Sequence, residues 1–216
     1  MQHILFDLDG TLIDHFTAIH KSIAYAQQQL DLAESSYDTV RRTVGGGIEL
    51  TLTRLLGESK AQEALPHFKS HFESVMLEDA IVLPGVETLL KQLKEQDKKT
   101  AVFTNKIGDH SRAILKHLGL TRHLDAVIGT ADTDYRKPQP EFTQYALDRL
   151  GAKASETMMI GDSPFDYQAA DCLGIPCYLV ATGSHSVAQL QEETDAAGIY
   201  TNMPDLAEAV FNIQAS

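Results

Sequence analysis

The 216-residue chain is poor in the features that mark several protein classes. It has two cysteines, Cys172 and Cys177. Their spacing matches no zinc or redox signature, so they read as small apolar core residues. A secreted fold stapled by disulfides is not expected. No uncharged apolar run reaches membrane-spanning length. No apolar leader region precedes Asp7 and Asp9, so the expected location is the cytoplasm. Cations are also few. Eighteen Lys and Arg face thirty Asp and Glu, a formal net charge of −12. Neither nucleic acid nor an anionic membrane would be attracted. A small phosphate compound is not excluded, because a few clustered cations or a metal ion can dominate one cleft.

What is present begins with Ile4-Leu5-Phe6-Asp7-Leu8-Asp9-Gly10-Thr11-Leu12. The apolar run reads as a strand buried on both faces, as at the centre of a parallel sheet. Asp7 and Asp9 fall at its carboxyl end, where open α/β sheets bind ligands. Strand alternation would turn both carboxylates to one side. Two carboxylates that close repel unless a cation or proton lies between them. Hard oxygen ligands of this kind suit Mg²⁺. A carboxylate so placed could also attack a phosphoryl group. The blander alternative is an Asp-Gly turn.

From 14 to 81 the pattern is helical, with no convincing strand. Asp14 or Thr17 would cap a first helix through Leu30. Residues 36–56, broken by Gly45-Gly46-Gly47, and 59–78 supply further helices. Leu83-Pro84-Gly85-Val86 marks a turn, and from there strands and helices alternate. Helices are expected at 86–96, 108–118, 140–150, 164–173, 186–196 and 204–212. Strands are expected at 100–104, 126–128, 157–160, 175–180 and 199–200. Such alternation builds a parallel sheet covered on both faces. The expected organisation is an α/β core, 1–13 and 82–216, with an all-helical insertion at 14–81. The insertion leaves the core just after Asp9 and is placed to cover whatever binds there.

Three more strand ends carry polar residues. Thr104 and Asn105 follow Phe103, and a hydroxyl with backbone N–H groups there can hold phosphate oxygens. Lys137 sits in a loop stiffened by Pro138 and Pro140, where an ammonium could neutralise phosphoryl charge. Gly161-Asp162 ends another apolar run, with Asp166 four residues on. Asp162 would be a further Mg²⁺ ligand, and Asp166 could hold Lys137. In a parallel sheet these ends converge on one cleft.

These residues resemble the haloacid dehalogenase superfamily of phosphohydrolases. Asp7-Leu8-Asp9-Gly10-Thr11-Leu12 looks like the first motif and Thr104-Asn105 the second. Lys137-Pro138 is similar to the third, and Gly161-Asp162-Ser163 to Asp166 the fourth. The resemblance covers essentially the whole chain. It implies a doubly wound, Rossmann-like core with a small helical cap, as in phosphoglycolate phosphatases, phosphonatases and β-phosphoglucomutases. It implies Asp7 as nucleophile and Asp9 as general acid and base. Thr104, Asn105 and Lys137 would bind the phosphoryl group. Mg²⁺ would be held by Asp7, the Asp9 carbonyl and Asp162, with Asp166 in support.

The second aspartate points to phosphate chemistry rather than dehalogenation. No cap lysine (Lys21, Lys60 or Lys69) stands in a context that marks a Schiff base. Arg41 and Gly46 are the candidate cap contacts, the arginine for a substrate carboxylate or phosphate and the glycine for close backbone approach. The nine histidines show no ligand spacing. The expected activity is Mg²⁺-dependent hydrolysis of a small phosphorylated metabolite, phosphoglycolate phosphatase-like, by a monomer or homodimer. A phosphosugar mutase or pyrophosphatase on the same residues is the enzymatic alternative. A catalytically idle ligand-binding protein is the alternative of another class.

Overall fold

The computed structural model describes residues 1–215. Its centre is β1 (His3–Phe6), where Ile4, Leu5 and Phe6 are buried from both sides. Each such side chain contributes about 1.5–3 kcal/mol when fully withdrawn from water. β1 pairs in parallel with β4 (Lys99–Ile107) and β6 (Thr157–Gly161). Outward on one side lies β5 (Ala126–Thr130). On the other lie β7 (Cys177–Val180) and β8 (Gly198–Tyr200). The order is β5-β4-β1-β6-β7-β8, all parallel. The expected strands are all present; β7 is shorter than expected and the others are longer.

Strand alternation divides the core into two layers. Ile4, Phe6, Val102 and Ile160 face α5 (Val86–Glu95), α6 (Gly108–His117) and α10 (Met203–Phe211). Leu5, Phe103 and Met159 face α7 (Pro140–Leu150), α8 (Pro164–Asp171) and α9 (Val187–Glu193). Pro140 and Pro164 open α7 and α8 at positions where a missing N–H costs nothing.

Four helices form a third apolar cluster. They are α1 (Phe16–Gln29), α2 (Tyr37–Thr43), α3 (Ile48–Leu56) and α4 (Glu58–Val75). Ile19 and Ile23, Val40, Leu52, and Phe68 with Phe72 meet there. The stretch expected as 36–56 is two helices, because Gly45, Gly46 and Gly47 all take positive φ. Neither Asp14 nor Thr17 is the residue that begins α1. His15 occupies that position, and Asp14 Oδ1 accepts from the Phe16 N–H at 3.2 Å. At the root of the block a two-residue antiparallel ladder joins β2 (Ile13–Asp14) to β3 (Ile81–Val82). Patterns of two residues carry no periodicity, and the sequence reading found no strand there.

Candidate active site

The register decides which side chains meet. Phe6 lies opposite Val102 on one side and Ile160 on the other. Asp7 and Asp162 therefore follow the ends of β1 and β6 on either side of the sheet centre, beside Thr104 of β4. The strand order reverses here, the place where α/β sheets open a crevice. All three line a cavity of about 280 Å³, together with Asp9, Asn105 and Lys137.

Lys137 is the hub. Its Nζ donates to Asp7 Oδ1 at 2.7 Å, Asp166 Oδ1 at 2.6 Å and the Phe103 carbonyl at 3.0 Å. Burial alone would lower the ammonium's pKa. Asp166 and Asp7 outweigh it and hold the group above its ordinary value. Asn105 fixes the loop that carries it. Its Oδ1 accepts from the Lys137 N–H at 2.7 Å, and its Nδ2 donates to the Lys137 carbonyl at 3.1 Å. The Asn105 side chain is thus spent on the loop, leaving only its backbone to face a phosphate. Thr104 is buried, and its Oγ1 accepts from the Lys106 N–H at 3.2 Å.

Asp166 caps α8 and satisfies its own neighbourhood. Its Oδ2 accepts from the N–H groups of Asp162 and Ser163 and from the Ser163 hydroxyl. Asp162 Oδ2 accepts from the Ser184 N–H at 3.0 Å. Oxygens of Asp7, Asp162 and Asp166 lie within 4.8 Å of one another. Burial first, then the crowding of negative charge, pushes Asp162 well above the carboxylate range. Asp7 is pushed up to about 6 by burial, with Lys137 opposing. Excess buried negative charge on hard oxygens is what a divalent cation relieves. Asp162 Oδ1 accepts no hydrogen bond among the described residues, so it has an oxygen to offer such a cation, and Asp7 Oδ2 is likewise unbonded.

Asp9 stands apart. The expectation that its carboxylate shares a cation with Asp7 needs correction. β1 ends at Phe6, and the chain turns at Gly10, where φ is +86°. Strand alternation therefore stops before Asp9. Its carboxylate accepts from Lys106 Nζ at 2.8 and 3.1 Å and lies 3.5 Å from His15 Nδ1. Burial would raise its pKa, but Lys106 and His15 hold it below the ordinary range. His15 Nε2 bonds the Met76 carbonyl at 2.8 Å, at the end of α4.

Of the two cap candidates, Gly46 lines the cavity and Arg41 does not. The Arg41 guanidinium lies over the Phe16 ring and donates to the Thr182 carbonyl. That contact draws it away from the cavity. The sequence reading gave no role to Lys106, His15 or the loop 182–184. The loop does carry a signal, since Thr182-Gly183-Ser184 follows an apolar run as the other site residues do. Thr182 Oγ1 donates to the Gly10 carbonyl at 2.6 Å. A Cβ on Gly183 would fall 1.7 Å from Asp162 Oδ2, so only glycine lets the loop close on that carboxylate.

A parallel six-stranded sheet with a buried lysine–aspartate cluster at its carboxyl edge, roofed by helices, defines a capped α/β protein with an acidic active-site crevice. The chain matches the haloacid dehalogenase-like hydrolase model over residues 4–180 and belongs to that family. It is 31% identical to a phosphoglycolate phosphatase of Aquifex aeolicus, over 85% of this chain and 86% of that one. It is 30% identical to a 5'-nucleotidase of Pseudomonas aeruginosa, over 88% and 86%. The solved structure of a predicted phosphatase from Clostridium acetobutylicum superimposes with a TM-score of 0.90 at 26% identity, covering 98% and 99%.

Proposed function

We propose that this protein is a Mg²⁺-dependent phosphatase that cleaves a small phosphomonoester through an aspartyl-phosphate on Asp7. The enzyme is a phosphoric monoester hydrolase, phosphoglycolate phosphatase-like in its relatives. Residues 14–81 serve as its cap and 1–13 with 82–216 as its core. The observation that carries this reading is the Lys137 ammonium fixed between Asp7 and Asp166. It orients one oxygen of Asp7 and leaves the other for attack.

Asp7 Oδ2 forms a bond to phosphorus as the ester P–O bond breaks. The electron pair goes to the leaving oxygen, which takes a proton from Asp9. An arriving phosphoryl dianion raises the Asp9 carboxyl by like-charge repulsion and competes for Lys106, so the carboxyl can gain that proton. In the second half water attacks phosphorus and Asp9 takes its proton. Phosphate leaves and the Asp7 carboxylate returns. Lys137 and the backbone beyond Thr104 offset the charge on the phosphoryl oxygens. Mg²⁺ held by Asp7, the Asp9 carbonyl and Asp162 would supply further neutralisation of that charge.

The test is phosphate release from p-nitrophenyl phosphate and small phosphate esters, with Mg²⁺ and with EDTA. The expected result is Mg²⁺-dependent release that falls to background in Asp7→Asn, with an unchanged circular dichroism spectrum. Release surviving in Asp7→Asn sinks the nucleophile assignment. Isomerised sugar phosphate in place of free phosphate would mark a mutase.

A further inference from the structure

The helical side of the cavity is apolar and rich in rings. Phe16, Ile19, Val44, Ile48, Phe68 and Phe72 line it. The rings of Phe68 and Phe72 stack at 5.3 Å, 13° from parallel. Phe72 also meets His15 edge-on at 5.4 Å and His110 at 5.6 Å. This wall is continuous with the catalytic groups. Lys106 Nζ lies 4.9 Å from the Phe72 ring centre while bonded to both Asp9 oxygens. In the phosphatase reading Asp9 meets the leaving oxygen. The group attached to that oxygen therefore lies against the Phe68–Phe72 wall.

The charges in the cavity point the same way. Lys137 is bound to Asp7 and Asp166, Lys106 to Asp9, and Arg136 to Glu49. His110 lies 3.4 Å from Glu73 and is held below the ordinary histidine pKa, chiefly by burial. Arg41, the expected anchor for a substrate carboxylate, is turned onto Phe16. Among the described residues, Lys69 is the one lining cation with no carboxylate partner. A leaving group with its own carboxylate would lose water against phenyl and alkyl groups with little return. An uncharged ring would gain by the same transfer. The volume, close to the lower end of about 300 Å³ for ligand sites, suits one ring and its phosphate.

We propose that the natural leaving group is an uncharged, ring-bearing alcohol. It packs on Phe68 and Phe72, and Ile48 is a specificity-determining residue facing it. This rests on the phosphatase reading. Ile48 is half-buried on the cavity wall at the start of α3, outside the fully buried helical core.

The test compares three esters of similar alkyl leaving oxygens with the full-length protein and Mg²⁺: ethyl phosphate, 2-phosphoglycolate and 2-phenylethyl phosphate. The expected kcat/KM for 2-phenylethyl phosphate exceeds both others by about tenfold or more, mostly through KM. Ile48→Arg shifts the ratio of 2-phosphoglycolate to 2-phenylethyl phosphate upward by about tenfold. Equal values for ethyl and phenylethyl phosphate overturn the proposal. So does a preference for 2-phosphoglycolate, above all one that disappears in Lys69→Gln. If the folded protein cleaves no ester, the phosphatase reading has failed, and binding decides the inference without turnover. Calorimetry with 2-phenylethylphosphonate and 3-phosphonopropionate is then expected to give about tenfold tighter binding of the ring compound. Equal or reversed affinities overturn it.

Discussion

Asp7 and Asp9 are two residues apart and occupy opposite electrostatic settings. Asp7 is buried beside Asp162 and Asp166, and burial pushes it up to about 6 against the pull of Lys137. Asp9 is only partly buried, and Lys106 and His15 keep it below the ordinary range. Environments that drive two carboxyls apart fit the division of labour proposed above between nucleophile and proton carrier. Asp9→Asn is expected to lower kcat by about 10²–10⁴-fold, the usual range for a lost acid–base group. Ester hydrolysis at saturating substrate measures it. Lys106→Met removes the cation that outweighs burial, so the Asp9 carboxyl should rise. A general acid must carry its proton, so the basic limb of the kcat/KM profile should then move to higher pH. A profile superimposable on the wild type would show that Lys106 does not set the Asp9 carboxyl.

The site is built at the ends of elements, and that is why much of it was legible. Apolar runs that stop at Asp7, Thr104 and Asp162 announce buried strands with polar tips, a local pattern. Lys137 is readable from the prolines around it. The remaining parts depend on contacts between distant segments. β4 runs on to Ile107 because that residue pairs with Thr130 past an irregularity in the ladder, which nothing in 105–107 foretells. The Lys106–Asp9 bond spans 97 residues. Arg41 does not line the cavity because its partner, the Thr182 carbonyl, is a backbone atom 141 residues away, beyond any local pattern. The loop after β7 gives the element-scale test. Gly183→Ala places a methyl group on Asp162 Oδ2, so the carboxylate or the loop must move. The expected outcome is a weaker dependence on Mg²⁺, with half-saturation raised about tenfold or more, and a stability loss of about 1–3 kcal/mol. Activity titrated against Mg²⁺ and a thermal melt read the two effects. An unchanged Mg²⁺ titration would mean that Asp162 is not a ligand.

At the scale of the whole molecule, the buried acidic cluster ties stability to pH and, in the proposed reading, to the metal. The Asp7 carboxyl rises from an ordinary 3.8 to about 6 on folding. Below about pH 4 both folded and unfolded chains carry that proton. Between about 4 and 6 the unfolded chain releases it and the folded protein keeps it. The unfolded state then binds fewer protons, so stability falls as pH rises through this window. A shift of this size costs about 3 kcal/mol once complete. Asp162, also raised, acts in the same direction. Asp9 acts the other way, but its gain is nearly complete by about pH 5, below the range in which the melt is read. Lys137, held above 10.5, contributes steadily across it. In EDTA the melting temperature should therefore drop between pH 5 and 7. Mg²⁺ held as proposed on the ionised carboxylates should restore stability at pH 7 and do little at pH 5. At one hundred times its dissociation constant the gain is about 2.7 kcal/mol. For a chain of this length that is about 5–10 °C. Asp162→Asn removes one of the crowded charges, so both the pH slope and the Mg²⁺ gain should shrink in it. A Mg²⁺ gain of equal size at pH 5 and pH 7 would place the ion elsewhere than on these carboxylates. The same titration thus locates the metal and tests the origin of the pH slope.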